Sequence, residues 1–155
     1  MTHGRIDEID QKILNVLQED GRIDVVLLAK RVNLSRTPVH ERIRKLQEAG
    51  FIRGIVALLD RTKVGKPVLV IVHVKLREQT MELLTAFEVS TMAMSEVQFV
   101  LHVSGGWDFI LHITASTPQD YYLFLMERIC GLPNVAHVES SFVMKECKNN
   151  GPFIL

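Results

Sequence analysis

The sequence predicts an α+β protein in two parts: a three-helix helix-turn-helix unit, then a ferredoxin-like βαββαβ unit. Three observations predict it. Apolar residues recur at helical spacing, between capping residues, through the first fifty positions. From Pro67 onward, alternating β-branched and aromatic runs are separated by helical stretches. The charge also divides, since residues 22–53 carry eight basic and three acidic side chains while residues 67–155 carry five and nine. The boundaries read as 1–52 for the helix-turn-helix domain, 53–66 for an extended linker and 67–155 for the second domain.

The first helix spans residues 7–19, with Ile9, Ile13, Val16 and Leu17 on one face, Asp7 as N-cap and Gly21 as terminator. Asp24 caps a shorter helix, Val25 to Val32, and Asn33 suits the left-handed backbone of a tight turn. Ser35 then caps a third helix that runs to about Ala49, with Pro38 in its first turn and Gly50 as its stop. Val39, Ile43 and Leu46 form its inner stripe, and Thr37, Arg44 and Glu48, flanked by His40, Glu41 and Lys45, form its outer face. A charged stripe is ordinarily a solvated face. Here it follows the turn of a helix-turn-helix in a basic segment, so we expect Ser35, Arg36, Thr37, His40, Arg44 and Lys45 to meet double-stranded DNA. Glu41 and Glu48 oppose phosphates, though Glu41 could accept from a cytosine amino group.

After an extended stretch, Ile52 to Leu59, and a basic linker, Asp60 to Lys66, the run Val68 to Leu76 is β-branched on both faces. Residues 79–90 read as a helix carrying Met81, Leu84, Phe87 and Glu88. Glu96 to Ser104 alternates Val97, Phe99, Leu101 and Val103 against Gln98, Val100, His102 and Ser104. Gly105 and Gly106 turn the chain, and Trp107 to Thr114 returns. Pro118 opens another helix, with Tyr121, Tyr122, Leu125 and Ile129 on its apolar side; Gly131 and Pro133 break it before a last strand, Val135 to Glu146. Two helices cover one face of such a sheet, so its other apolar face calls for a partner, most simply a second copy.

The quoted segments carry a resemblance. Asp20-Gly21-Arg22, Leu34-Ser35, Val39, Arg42-Ile43 and Gly50-Phe51-Ile52 resemble the N-terminal domain of the Lrp/AsnC (feast/famine) regulators. The run Val103 to Phe109 resembles that family's Gly-x-aromatic-Asp effector loop. The similarity covers about residues 5–148; Asn33 stands where the family has Gly, and Gly106 where side-chain-bearing residues are common. It implies a winged DNA-binding domain, dimers joined through the sheets and assembled into rings, commonly octamers, and an amino-acid effector bound between dimers. The effector residues would be Ser104, Gly105, Gly106, Trp107 and Asp108: backbone N–H groups for a carboxylate, Asp108 for an ammonium. Val103, Trp107 and Met94 would favour a leucine- or methionine-like side chain. Two adjacent glycines are equally the mark of a plain hairpin turn.

Other chemistry is poorly represented. The six histidines (His3, His40, His73, His102, His112, His137) have no metal-ligand spacing, and Cys130 and Cys147 form no CxxC pair and read as reduced, partly buried thiols. No nucleophile elbow or phosphate loop occurs, so we expect neither enzyme activity nor a cofactor. No apolar run approaches a membrane span and the N-terminus lacks a signal peptide, which points to the cytoplasm. Two further readings stay open: an architectural DNA-wrapping protein indifferent to metabolites, and an amino-acid-binding module with no DNA role.

Overall fold

A computed structural model describes residues 6–149 and 151–155; His3 lies outside them. Its contacts divide the chain into two compact units, Met1–Leu58 with Lys148–Leu155, and Leu59–Cys147. The sequence placed residues 148–155 with the sheet; in the structure they contact the helical unit.

In the helical unit, α1 (Glu8–Glu19) begins in a reciprocal capping box. Asp7 accepts from the N–H groups of Ile9 and Asp10, and Asp10 accepts from the N–H of Asp7. The Asp10 N–H, and then Arg42, hold the Asp7 carboxyl below the usual carboxylate range. Asp24 caps α2 (Val25–Arg31) by accepting from Val26, and Asn33 takes the left-handed conformation, φ 55°, as its residue type suggested. The next helix, α3 (Arg36–Glu48), ends with Gly50 at φ 78°, where the Phe51 N–H reaches back to the Leu46 carbonyl. Ile13, Leu28, Val39 and Leu46 make the small core. Arg42 of α3 ties it to the start of α1, with one guanidinium nitrogen 2.7 Å from both Asp7 and Asp10. Gly21 is needed for closeness rather than for φ: a Cβ there would lie 2.9 Å from Ile55 Cγ2. Ile52 to Leu59, expected to be extended, forms no helix and joins no strand of the described residues.

The other unit is a four-stranded antiparallel sheet, ordered β2-β3-β1-β4, with its helices between strands in the βαββαβ sequence. The strands are β1 (Val68–Leu76), β2 (Val97–His102), β3 (Phe109–Ala115) and β4 (Val135–Phe142). Helices α4 (Met81–Met92) and α5 (Pro118–Phe124) lie on one face; α5 continues through a π turn, Leu125–Ile129. Val70, Val72, Val74 and Leu76 of β1 meet Phe109, Leu111 and Ile113 of β3 in the helix-covered core, while Leu69 and Ile71 point to the open face.

The structure corrects three side-chain expectations. A bulge between Val97 and Phe99 resets the alternation of β2, so Val97 and Val100 face the core and Phe99 and Leu101 are exposed. Tyr122, assigned to the apolar side of its helix, is exposed, and Phe124 takes the buried place on α5. Both cysteines are free and exposed rather than partly buried.

Candidate functional site

Two regions were singled out in the sequence, and each can be followed residue by residue. On the helical unit, Ser35, Arg36, Thr37, His40, Arg44 and Lys45 are all exposed, along one helix that follows the left-handed turn at Asn33. Ser35 holds the N-cap position by its backbone, φ −81° and ψ 166°, but its hydroxyl makes no capping bond, which leaves it available to an outside acceptor such as a phosphate. Arg44 is engaged: its Nη1 lies 2.6 Å from Oε1 of Glu48, one turn on, with both side chains well exposed. No spacing argument revealed that competition, although an i,i+4 pair of opposite charge was its signal.

On the sheet unit, the β2–β3 connection is a tight loop with Gly105 at φ 118°, a conformation that side-chain-bearing residues avoid. Val103 N–H bonds to the Asp108 carbonyl and closes the hairpin, so the two glycines do form a hairpin turn. Among the described residues, the N–H groups of Ser104, Gly105 and Gly106 have no intramolecular acceptor. Ser104, Gly105 and Asp108 line a cleft of about 290 Å³ together with Lys75, Gln79, Leu84, His102 and Val103. Lys75 and Gln79 were missed by sequence reasoning, because only the pairing of β1 beside β3 brings residues so distant in sequence to one rim; His102, two residues before Ser104, was read as a strand residue and also lines it.

Asp108 is not a spare carboxylate. It is buried, and it accepts from the Leu76 N–H at 2.8 Å, the Gln79 amide at 2.9 Å and the Lys75 ammonium at 3.1 Å. Burial pushes its carboxyl up, but the Leu76 N–H, Lys75 and Gln79 together outweigh that and hold it below the usual carboxylate range. Asp108 thus already accepts from Lys75 and Gln79, two residues that line the cleft with it. Trp107 departs as well. Its ring packs 5.6 Å from His73 and 5.5 Å from His137, against β1 and β4, and does not line the cleft. Met94 belongs to the core, so of the three apolar residues offered for a ligand side chain only Val103 lines the cleft.

The histidines stay apart in the register the sequence implied, with His102 opposite Phe109 and His112 opposite Phe99. Among the described residues no group of three His, Cys, Asp or Glu side chains is placed to hold a metal ion. Nor is any described helix long and apolar enough to cross a membrane.

Comparison with known proteins converges on one family. Residues 6–53 match a winged helix-turn-helix DNA-binding domain, and residues 69–153 match the Lrp/AsnC ligand-binding domain. The leucine-responsive regulatory protein of Escherichia coli K12 is 36% identical over 150 residues, covering 97% of this chain and 92% of that protein. The proline dehydrogenase transcriptional activator of Rhizobium radiobacter is 34% identical over 146 residues, 94% of each chain. A Neisseria meningitidis transcriptional regulator solved with L-methionine superposes with a TM-score of 0.91 at 30% identity, covering 97% of both chains. An AsnC-family regulator from Agrobacterium tumefaciens superposes with a TM-score of 0.86 at 36% identity, covering 93% of this chain and 94% of that one.

Proposed function

The chain belongs to the Lrp/AsnC family of transcriptional regulators, and from that membership we propose that it binds operator DNA through α3 under the control of a free amino acid held at the β2–β3 loop. The observation that carries the reading is the outer face of α3, where all six expected contact residues stand exposed on a helix of basic surroundings. Arg36, Arg44 and Lys45 supply charge for phosphates and guanine edges, and Thr37 and His40 lie between them. At the cleft, the free N–H groups of the loop and the Lys75 ammonium suit a carboxylate. With Asp108 committed to three partners, the lining offers no spare anion for a basic side chain, so the ligand is a neutral, leucine- or methionine-like amino acid. The L-methionine held by the Neisseria relative supports that chemistry.

The working unit is at least a dimer in the cytoplasm, assembled further into rings, and it needs no cofactor. Leu69, Ile71 and Ile110 on the open sheet face, with exposed Phe99 and Leu101, supply an apolar surface that a second sheet would cover. The test is a thermal-shift screen against the twenty amino acids, followed by binding to duplexes selected from a random pool. A ligand at 100 times its dissociation constant stabilises by about 2.7 kcal/mol. If no amino acid stabilises the protein at millimolar concentration, the effector reading fails. If no duplex is enriched over the starting pool, the operator reading fails.

A further inference from the structure

The amino-acid reading of the β2–β3 cleft leaves one group of its ligand unplaced, because Asp108 is buried and already accepts three hydrogen bonds. A carboxylate for the ligand's ammonium must come from elsewhere. The sheet unit has a second hollow of about 340 Å³, within the range of small-molecule sites, lined by α4 and the edge strand β2. Its apolar lining includes Val97 and Val100, the β2 residues that the bulge leaves facing the core, and Met92 of α4. The two hollows meet at His102, which lines both. Along α4, Leu84 lines the first, and Glu88 and Met92 line the second; at steps of four residues they share one side of the helix. Helix and strand therefore border one groove, divided by His102.

Glu88 stands at that divide. Its carboxylate lies 3.8 Å from Nδ1 of His102, beyond hydrogen-bond length, and among the described residues it has no other ionic or hydrogen-bonding partner. The His102 ring stacks on Phe109, with centroids 4.9 Å apart, and is held in the dividing position. Ser104 follows His102 by two residues, about 7 Å of extended chain. The ammonium and carboxylate of one α-amino acid, with a hydrogen bond of about 3 Å at each end, span a comparable distance. We propose that the ligand lies along this groove, its carboxylate on the free loop N–H groups, its ammonium on Glu88, and its side chain in the hollow of Met92, Val97 and Val100. The proposal rests on the amino-acid reading above, and adds the ammonium's partner and the side chain's seat. The order of charge sets the direction: Lys75 and the loop donors at one end, Glu88 in the middle, and no further charged residue among those lining the apolar end. Glycine and alanine leave that hollow unfilled and bind more weakly than leucine.

Calorimetry on the full chain tests it with L-leucine and L-methionine, with 4-methylpentanoate, which is leucine without its ammonium, and with leucinol, which lacks the carboxylate. Glu88→Gln keeps the side chain's shape and removes its charge. In that variant the two amino acids and leucinol bind about tenfold more weakly or worse, the factor set by one charged hydrogen bond. 4-Methylpentanoate holds its affinity or gains, since a repelling charge has gone. Met92, 72% exposed, can be shortened without opening the core. Met92→Ala weakens every probe alike by about fourfold, the value of one buried methylene. An amino-acid affinity unchanged in Glu88→Gln overturns the proposal. So does a loss in Glu88→Gln that 4-methylpentanoate shares equally, which would make Glu88 a structural residue. Binding indifferent to Met92→Ala removes the side chain's seat and overturns it too. If the wild type binds neither leucine nor methionine, the amino-acid reading itself fails and the groove falls with it.

Discussion

Glu48 should be a brake on DNA binding, and Glu48→Gln should release it. Arg44 Nη1 sits 2.6 Å from Glu48 Oε1, and both side chains are about 60% exposed. An exposed i,i+4 pair contributes about 0.3–0.5 kcal/mol, so a phosphate or guanine edge must displace a bond of that size before it can use Arg44. Two recognition helices in a dimer double the term to about 0.6–1.0 kcal/mol, a gain of roughly three- to fivefold in affinity when the pair is removed. Glu48→Gln also removes a negative charge from the face that meets phosphates, so the advantage should shrink as salt rises and screening shortens. Anisotropy titrations at several salt concentrations measure both effects. The cycle with Arg44→Ala isolates the cause, because in that background Glu48→Gln should bring only the residual charge effect. Weaker binding by Glu48→Gln at low salt would refute the reasoning and assign Glu48 to presenting Arg44 instead.

Three other outcomes follow from the sheet unit. Asp108 has its folded pKa below the ordinary 3.8, so its contribution is fully present above about pH 5 and is lost as pH falls through the folded value; Asp108→Asn should therefore be less stable than the wild type at neutral pH, with the gap closing in acid denaturation below about pH 4. Gly105→Ala puts a side chain at φ 118°, and should cost the sheet unit about 1–3 kcal/mol in denaturant melts although nothing lies within 4 Å of the new methyl; an unchanged midpoint would contradict this. Ile71→Asp places a charge on the open sheet face, and sedimentation should show dissociation to 17.6 kDa monomers at micromolar concentration; an intact oligomer would remove that face from the interface.

What was legible in the sequence follows from the range of the forces involved. Caps and turns are local, so Asp7, Asp24, Asn33 and Gly50 could be placed from a few neighbours, and the structure has each of them in that position. Strand alternation is also local, but only until a bulge intervenes. One extra residue at Val97–Phe99 exchanged the faces of Phe99 and Val100, and no pattern of period two contains that information. The effector loop shows the same limit. Its position and its glycines were readable, but the partners of Asp108 come from residues 75–79, which reach it only through the pairing of β1 with β3. The adjacent residues 107 and 108 took different surroundings, so a loop counted as one site serves two.

The placement of β1 at the centre of the sheet has a consequence for how the protein is made. A ribosome delivers β1 early, yet one of its two neighbours, β4, comes only with residues 135–142, so at roughly 5–20 residues per second the strand waits on the order of ten seconds for its second edge to be covered. Throughout that interval the run Val68 to Val72, five apolar residues of high β-propensity, is a self-adhesive stretch of the nascent chain. Lys66 and Pro67 stand immediately before it, and Lys75 and Arg77 follow three and five positions beyond its end. Charge and a missing N–H at those flanks oppose pairing between nascent chains on neighbouring ribosomes. Neutralising Lys66 and Arg77 would lower the yield of soluble protein during rapid expression.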